Sequence, residues 1–261
     1  MTDPRRYFLQ LAFDGADFHG WQVQNNAVTV QGLLQEKLGL MLGAPVELTG
    51  CGRTDTGVHA RDFYAHFDVQ DGVELPTGFI FRANGFLPPS IVLKAIYSVD
   101  GQAHTRFDAI ARTYEYHIST KKDPFDHGRS WYLYGALDLL AMEKAAAQLI
   151  GCHDFDAFCK NVTDQPSTTC DVVRAVWEDR GDRLVFVITA NRFIRNMVRA
   201  IVGTCVEIGQ SRFQRDAMQQ ILLSKDRSLA GPSAPAHGLY LARVDYPAGI
   251  FATDSIKSLQ G

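Results

Sequence analysis

The sequence predicts an α+β protein made of two split-βαβ halves, laid out as one extended, mainly antiparallel sheet with helices on one face and a central cleft. Three observations predict it. The element order β-α-β-β-α-β can be read twice along the chain. Strand candidates alternate apolar and polar residues, while helix candidates carry apolar residues three and four apart. The length of 261 residues exceeds what one small core needs. The expected division is residues 1–107 and 108–261. No residue-level repeat accompanies it, so the duplication is one of element order.

In the first half, Tyr7 to Phe13 reads as a strand and Thr29 to Leu42 as an amphipathic helix ending near Gly43. Val46 to Thr49 is strand-like and leads into a glycine-punctuated loop, and Phe63 to Val69 alternates as a strand. Leu75 to Phe86 follows as a short helix and Ile91 to Val99 as a strand. The second half opens on the alternating strand Arg112 to Thr120. A helix from Asp138, its cap, to Ile150 stops at Gly151. Val172 to Glu178 and Arg183 to Ala190 form a hairpin around Arg180-Gly181-Asp182. Arg192 to Ile208 reads as a helix ending at Gly209, Arg215 to Leu223 as an additional short helix, and Gly238 to Asp245 as the closing strand. Lys121 to Arg129 and Ser224 to His237 read as surface loops.

The composition narrows the class. A content of 46% hydrophobic and 21% charged residues is that of an ordinary globular domain. No apolar run approaches the roughly 20 residues that span a bilayer, and Met1 to Arg6 lead into a strand without a signal peptide's apolar region, so the expected compartment is the cytoplasm. Five scattered cysteines with no Cys-x-x-Cys pair argue for reduced, mostly buried thiols and against zinc. The net charge of −3 gives no basic tail. Split after Phe107, the first part holds the whole acid excess and the rest is balanced, so any RNA-binding surface must arise by local clustering.

Three segments offer chemistry. The first is the loop Gly50-Cys51-Gly52-Arg53-Thr54-Asp55-Thr56-Gly57-Val58-His59-Ala60, a lone carboxylate among glycines. In an extended segment Arg53 and Asp55 point the same way, and the guanidinium would fix the direction of a carboxylate already ionised at neutral pH. A plain tight turn would also account for the loop. The second is Arg112-Thr113-Tyr114, where alternation puts Arg112 and Tyr114 on one strand face, suited to a phosphate and a nucleobase. Simple packing of aromatics across a sheet is the rival account. The third is Arg192, Arg195 and Arg199, spaced to share one helix face in a stretch without acids, with Phe193 and Met197 on the buried side. A solvated face explains such a stripe equally well.

These segments, taken together, closely resemble the tRNA pseudouridine synthase A family. The pieces are Phe18-His19-Gly20-Trp21-Gln22 with Gln24, the Gly52 to His59 loop, Phe81-Arg82-Ala83-Asn84 through Leu87-Pro88, and Arg106-Phe107-Asp108-Ala109. Arg112-Thr113-Tyr114, Asp154-Phe155 with Phe158, Met197-Val198-Arg199, Ile201-Val202-Gly203 and Gly238-Leu239-Tyr240-Leu241 continue it. The resemblance implies an isomerase that turns uridine into pseudouridine in the anticodon stem-loop of tRNA, at tRNA positions 38–40. It implies ferredoxin-like halves, a homodimer, and neither cofactor nor metal. It implies that Asp55 is the catalytic carboxylate, that the flipped base stacks on Tyr114, that Arg199 pairs with Asp55, and that Arg53 holds the RNA or fills the space the base leaves. Asn196 stands where relatives commonly have His, and Thr56 where Ala is frequent.

Two other classes remain to be weighed. A split-βαβ unit is also the layout of a non-catalytic RNA-recognition module, whose basic-Gly-aromatic signature neither half contains. Asp55-Thr56-Gly57 spells the triplet of an aspartic protease, but such an enzyme needs a second carboxylate and only a dimer would supply one.

Overall fold

A computed structural model describes residues 5–70, 75–160 and 167–251. The reading of Met1 to Arg6 as leaderless therefore rests partly on residues 1–4, which lie outside the described residues. Among the described residues, ten strands and five α-helices make a mixed α and β fold whose strand pairs are mostly antiparallel. Two compact units are distinguished: one runs to Ile110 and resumes at Leu241, the other is Ala111–Tyr240.

In the first unit, β1 (Arg5–Phe13) is the centre. It pairs antiparallel with β3 (His59–Val69) on one side and β4 (Ile91–Val99) on the other. Its Phe8, Leu9 and Leu11 are fully buried, as a strand flanked on both edges requires. The short β2 (Thr49–Gly50) adds to β3, giving the order fourth, first, third, second. The end of the last strand, β10 (Leu239–Asp245), lies beside β3, where Val244 donates its N–H to Asp62 Oδ2 at 3.2 Å. Helix α1 (Val30–Leu42) starts because the Thr29 hydroxyl accepts the Gly32 N–H, and it stops at left-handed Gly43. Its Val30, Leu34 and Leu38 are the buried stripe. Helix α2 (Phe79–Phe86) is docked by a side chain that imitates a strand: Asn84 donates to Leu93 O at 2.9 Å and accepts the Leu93 N–H at 2.8 Å.

The second unit repeats the order first, third, second: β5 (Ala111–Ser119), β9 (Arg183–Ala190), β8 (Thr169–Asp179). Helix α3 (Leu139–Ala147) begins where Asp138 accepts the Ala141 N–H at 2.9 Å. Helices α4 (Met197–Gly209) and α5 (Ala217–Ser224) follow β9. Two short strands appear that periodicity does not predict, β6 (Trp131–Tyr132) parallel to β5 and β7 (Gly151–Asp154) on β8. Two or four residues are too few to show alternation.

Several predicted elements differ in extent. The strand expected at Val46 to Thr49 is confined to Thr49–Gly50. Helix α2 begins at Phe79 and not at Leu75, because Pro76 and left-handed Gly78 precede it. The largest difference is α4. The helix expected from Arg192 begins at Met197, because Asn196 adopts φ 70°, a left-handed conformation that cannot continue an α-helix. Arg192 and Arg195 thus lie outside the helix and do not share a helical face with Arg199. Eleven of the thirteen α4 residues are buried, so this is an interior helix and not an amphipathic one with a basic stripe.

Candidate active site

The Asp55 loop leaves β2 and returns into β3, and a second segment of the chain, residues 14–21, is laid against it. Trp21 donates its N–H to Thr54 O at 3.4 Å, and Gly57 donates to Phe18 O at 3.2 Å. Val58 closes the loop on itself by donating to Asp55 O at 3.2 Å. The buried imidazole of His59 completes the clasp, its Nδ1 3.1 Å from the donating Gly15 N–H and 3.0 Å from Asp14 Oδ1. The backbones approach so closely that glycine is obligatory at Gly20, where φ is 86° and a Cβ would sit 2.2 Å from Thr54 O. Trp21 is 1% exposed, packs on Phe63 at 4.2 Å between centroids, and places its indole where a Cβ on Gly50 would be.

The loop therefore presents Asp55, half-buried, on backbone held from both sides, with Arg53 exposed two residues earlier. Of the glycines the sequence singles out, Gly50 answers a close approach and Gly57 a φ of 78°, whereas Gly52 faces open space. Cys51 is buried, and its sulfur accepts the Tyr64 N–H at 3.5 Å. Burial pushes the Cys159 thiol up to about 12 and the Cys170 thiol up to about 11, as expected of inert core cysteines. Cys152 is the exposed exception among the five. Among the described residues no three His, Cys, Asp or Glu side chains gather where they could hold a metal ion.

In the second unit, Tyr114 lies half-buried on β5, and the ring of Phe193 meets it edge-on at 5.0 Å and 81°. Periodicity assigns Phe193 to the buried side of a helix; it sits instead in the non-helical approach to α4, braced against Tyr114. Arg112 donates to Asn191 O at 2.9 Å, which ties the start of β5 to the same approach segment. Arg199, in the first turn of α4, donates through Nε to Ala234 O at 2.7 Å, and Ala234 returns its N–H to Arg199 O at 2.9 Å. The stretch Ser224 to His237, expected at the surface, thus supplies a guanidinium clamp. It packs so tightly that a Cβ on Gly203 of α4 would lie 1.7 Å from Pro232 O. Arg195 is exposed and accepts Lys160 N–H on its carbonyl at 3.2 Å, while Arg192 is half-buried.

Sequence reasoning missed Gly15, His59 and Ala234 as the supports of these side chains. A clasp between residues 44 apart leaves no periodic trace, and a carbonyl acceptor belongs to every residue type.

A family profile described as tRNA pseudouridine synthase matches residues 145–247. Over the whole chain the likeness is stronger. The tRNA pseudouridine synthase A of Parabacteroides distasonis is 43% identical over 250 residues, covering 96% of this chain and 99% of its own. The chain belongs to the tRNA pseudouridine synthase A family. The pseudouridine synthase A of Bacteroides thetaiotaomicron is 42% identical over 98% of this chain and 96% of its own length. A more distant one, from Exiguobacterium sibiricum, is 34% identical over 93% of the chain. The segments that carry the family resemblance have physical work in this pseudouridine synthase A fold. Phe18 to Trp21 back the Asp55 loop, Asn84 docks α2, and Gly203 admits the loop that holds Arg199. Gly238 admits the Tyr116 ring, whose hydroxyl donates to Pro235 O at 2.9 Å.

Proposed function

We propose that this chain isomerises uridine to pseudouridine in the anticodon stem-loop of tRNA, with Asp55 as the catalytic carboxylate or nucleophile. The observation that carries the reading is the clasped Asp55 loop. A carboxylate held on backbone bonded from two sides is oriented before any substrate arrives, and a connecting turn has no need of that. The reaction breaks the N1–C1′ bond of uridine, turns the base, and forms C5–C1′; the C5 proton leaves to solvent and N1 gains one, with no net redox change. A carboxylate suffices for it, by attack on the base or sugar or by taking a sugar proton.

The other residues follow from that assignment. The target base leaves its stack at a cost of a few kcal/mol and lies against Tyr114, which Phe193 braces. Arg199 pairs with Asp55 and orients it, and Arg53 holds the RNA or fills the vacated space. Arg112, Arg192 and Arg195 contact phosphates. The half 1–107 supplies the Asp55 loop, and 108–261 supplies Tyr114 and Arg199. The working form is a cytoplasmic homodimer without cofactor or metal.

Tritium release from anticodon-arm RNA labelled at uridine C5 tests the reading. Release by the wild-type chain and none by Asp55→Ala, with RNA binding retained, is the expected result. Tight binding without release by the wild type would make this a non-catalytic RNA-binding protein. Arg199→Ala is expected to lower turnover more than affinity, and an affinity collapse with a normal single-turnover rate would remove its assigned role.

A further inference from the structure

Residues 103–110, between β4 and β5, are tied down within the first unit at almost every position. Thr105 is fully buried; its hydroxyl donates to Thr49 O at 3.0 Å, its N–H to His66 Nδ1 at 3.3 Å, and its carbonyl accepts Tyr246 OH at 2.6 Å. Ala103 O accepts the Arg6 guanidinium at 2.9 Å, and Ile110 donates to Asp245 O at 2.8 Å. His104 and Asp108 bond each other twice, at 2.8 and 3.0 Å, and His104 Nδ1 accepts the Arg106 N–H at 3.1 Å.

Anchoring of this kind normally serves a buried loop. Here its tip carries Phe107, a residue 74% exposed. An exposed apolar residue on a loose loop needs no explanation, but this ring is oriented. The His104 imidazole lies against it at 4.3 Å and 35°, and the Arg106 guanidinium stands over it at 5.6 Å. A fixed phenyl with a cation beside it matches the chemistry of an unpaired nucleotide, a π-face followed by a phosphate.

We propose that Phe107, with Arg106, is a stacking seat for an unpaired nucleobase of the RNA substrate, the phosphate of that nucleotide meeting the guanidinium. The proposal rests on the reading of this chain as an RNA-acting isomerase. It adds a substrate-binding residue outside the Asp55 loop and Tyr114.

The test uses the full chain, with the wild type turning over C5-tritiated anticodon-arm RNA as reference. Phe107→Ala is expected to raise KM about tenfold, with a much smaller change in kcat. Phe107→Leu, which keeps apolar bulk but has no π-face, should resemble Ala, while Phe107→Trp should stay near the wild-type KM. The Phe107→Trp indole fluorescence should also be quenched when the RNA is added. A KM within twofold of wild type for Ala, a Leu variant as good as Trp, or an Ala variant whose sedimenting mass falls overturns the seat, the last by making Phe107 a contact between two chains. Should Ala fail to fold, the Leu and Trp pair decides. Failure of the wild type to release tritium would remove the isomerase reading alone, since the quench still reports whether RNA occupies the seat.

Discussion

A single methyl group separates a working Asp55 loop from a distorted one. At Gly20 both the left-handed φ and the 2.2 Å approach of Thr54 O forbid a Cβ. Gly20→Ala is expected to lose roughly 2–4 kcal/mol of stability, read as a lower urea midpoint, and to lose turnover even where it remains folded. A variant with the wild-type midpoint and rate would show that the clasp does not position Asp55. His66 makes a second residue-level prediction. Burial, aided by the nearby Arg6 charge, lowers its pKa from 6.5 to about 4. The unfolded chain therefore binds a proton that the folded chain refuses. The associated stability is complete above pH 6.5 and is lost as pH falls toward 4, on the order of 1–3 kcal/mol. His66→Gln, which keeps an acceptor for the Thr105 N–H but cannot titrate, should flatten that slope in unfolding titrations at pH 7 and pH 5.

Elements were legible in the sequence where a local cause fixes them. Thr29 and Gly43 delimit α1 because a cap and a left-handed stop each act within one turn. Ile91–Val99 has the extent expected because its β-branched and aromatic residues favour a strand by themselves. Asp138 likewise announces α3, and Asp138→Ala should cost about 1 kcal/mol, measured as a lower midpoint with an unchanged urea slope. An unaltered midpoint would mean that packing, and not the cap, sets the start of that helix. Arg192 to Ile208 is not one helix, because apolar spacing continues smoothly through Asn196 while its backbone does not. Nothing in the side-chain pattern reports a φ of 70° at an asparagine, although Asn is among the few residues that tolerate it. Residue type and motif single out Asp55, Tyr114 and the arginines as candidates, and the glycines of the loop beside them; the carbonyls that hold these segments leave no such mark, because their roles depend on segments far apart in sequence.

For the molecule as a whole, the net charge of −3 would steer an RNA away, so recognition has to come from local cations and should be sensitive to ionic strength. Affinity for anticodon-arm RNA is expected to fall linearly on a log–log plot against salt. Arg195→Ala, which removes an exposed guanidinium, should weaken binding for all RNA sequences alike and reduce the slope by about one. An unchanged slope would take Arg195 off the RNA path.

The segment that backs the Asp55 loop also decides when the loop surrenders its conformational entropy. Three backbone bonds and the His59 clasp are made as the chain folds, so the ordering cost is met then and not when RNA arrives. The amides of Gly57 and Val58 should accordingly exchange with heavy water at nearly the same slow rate with and without substrate. Affinity for RNA is then set by the contacts it gains and not by the ordering of the Asp55 loop.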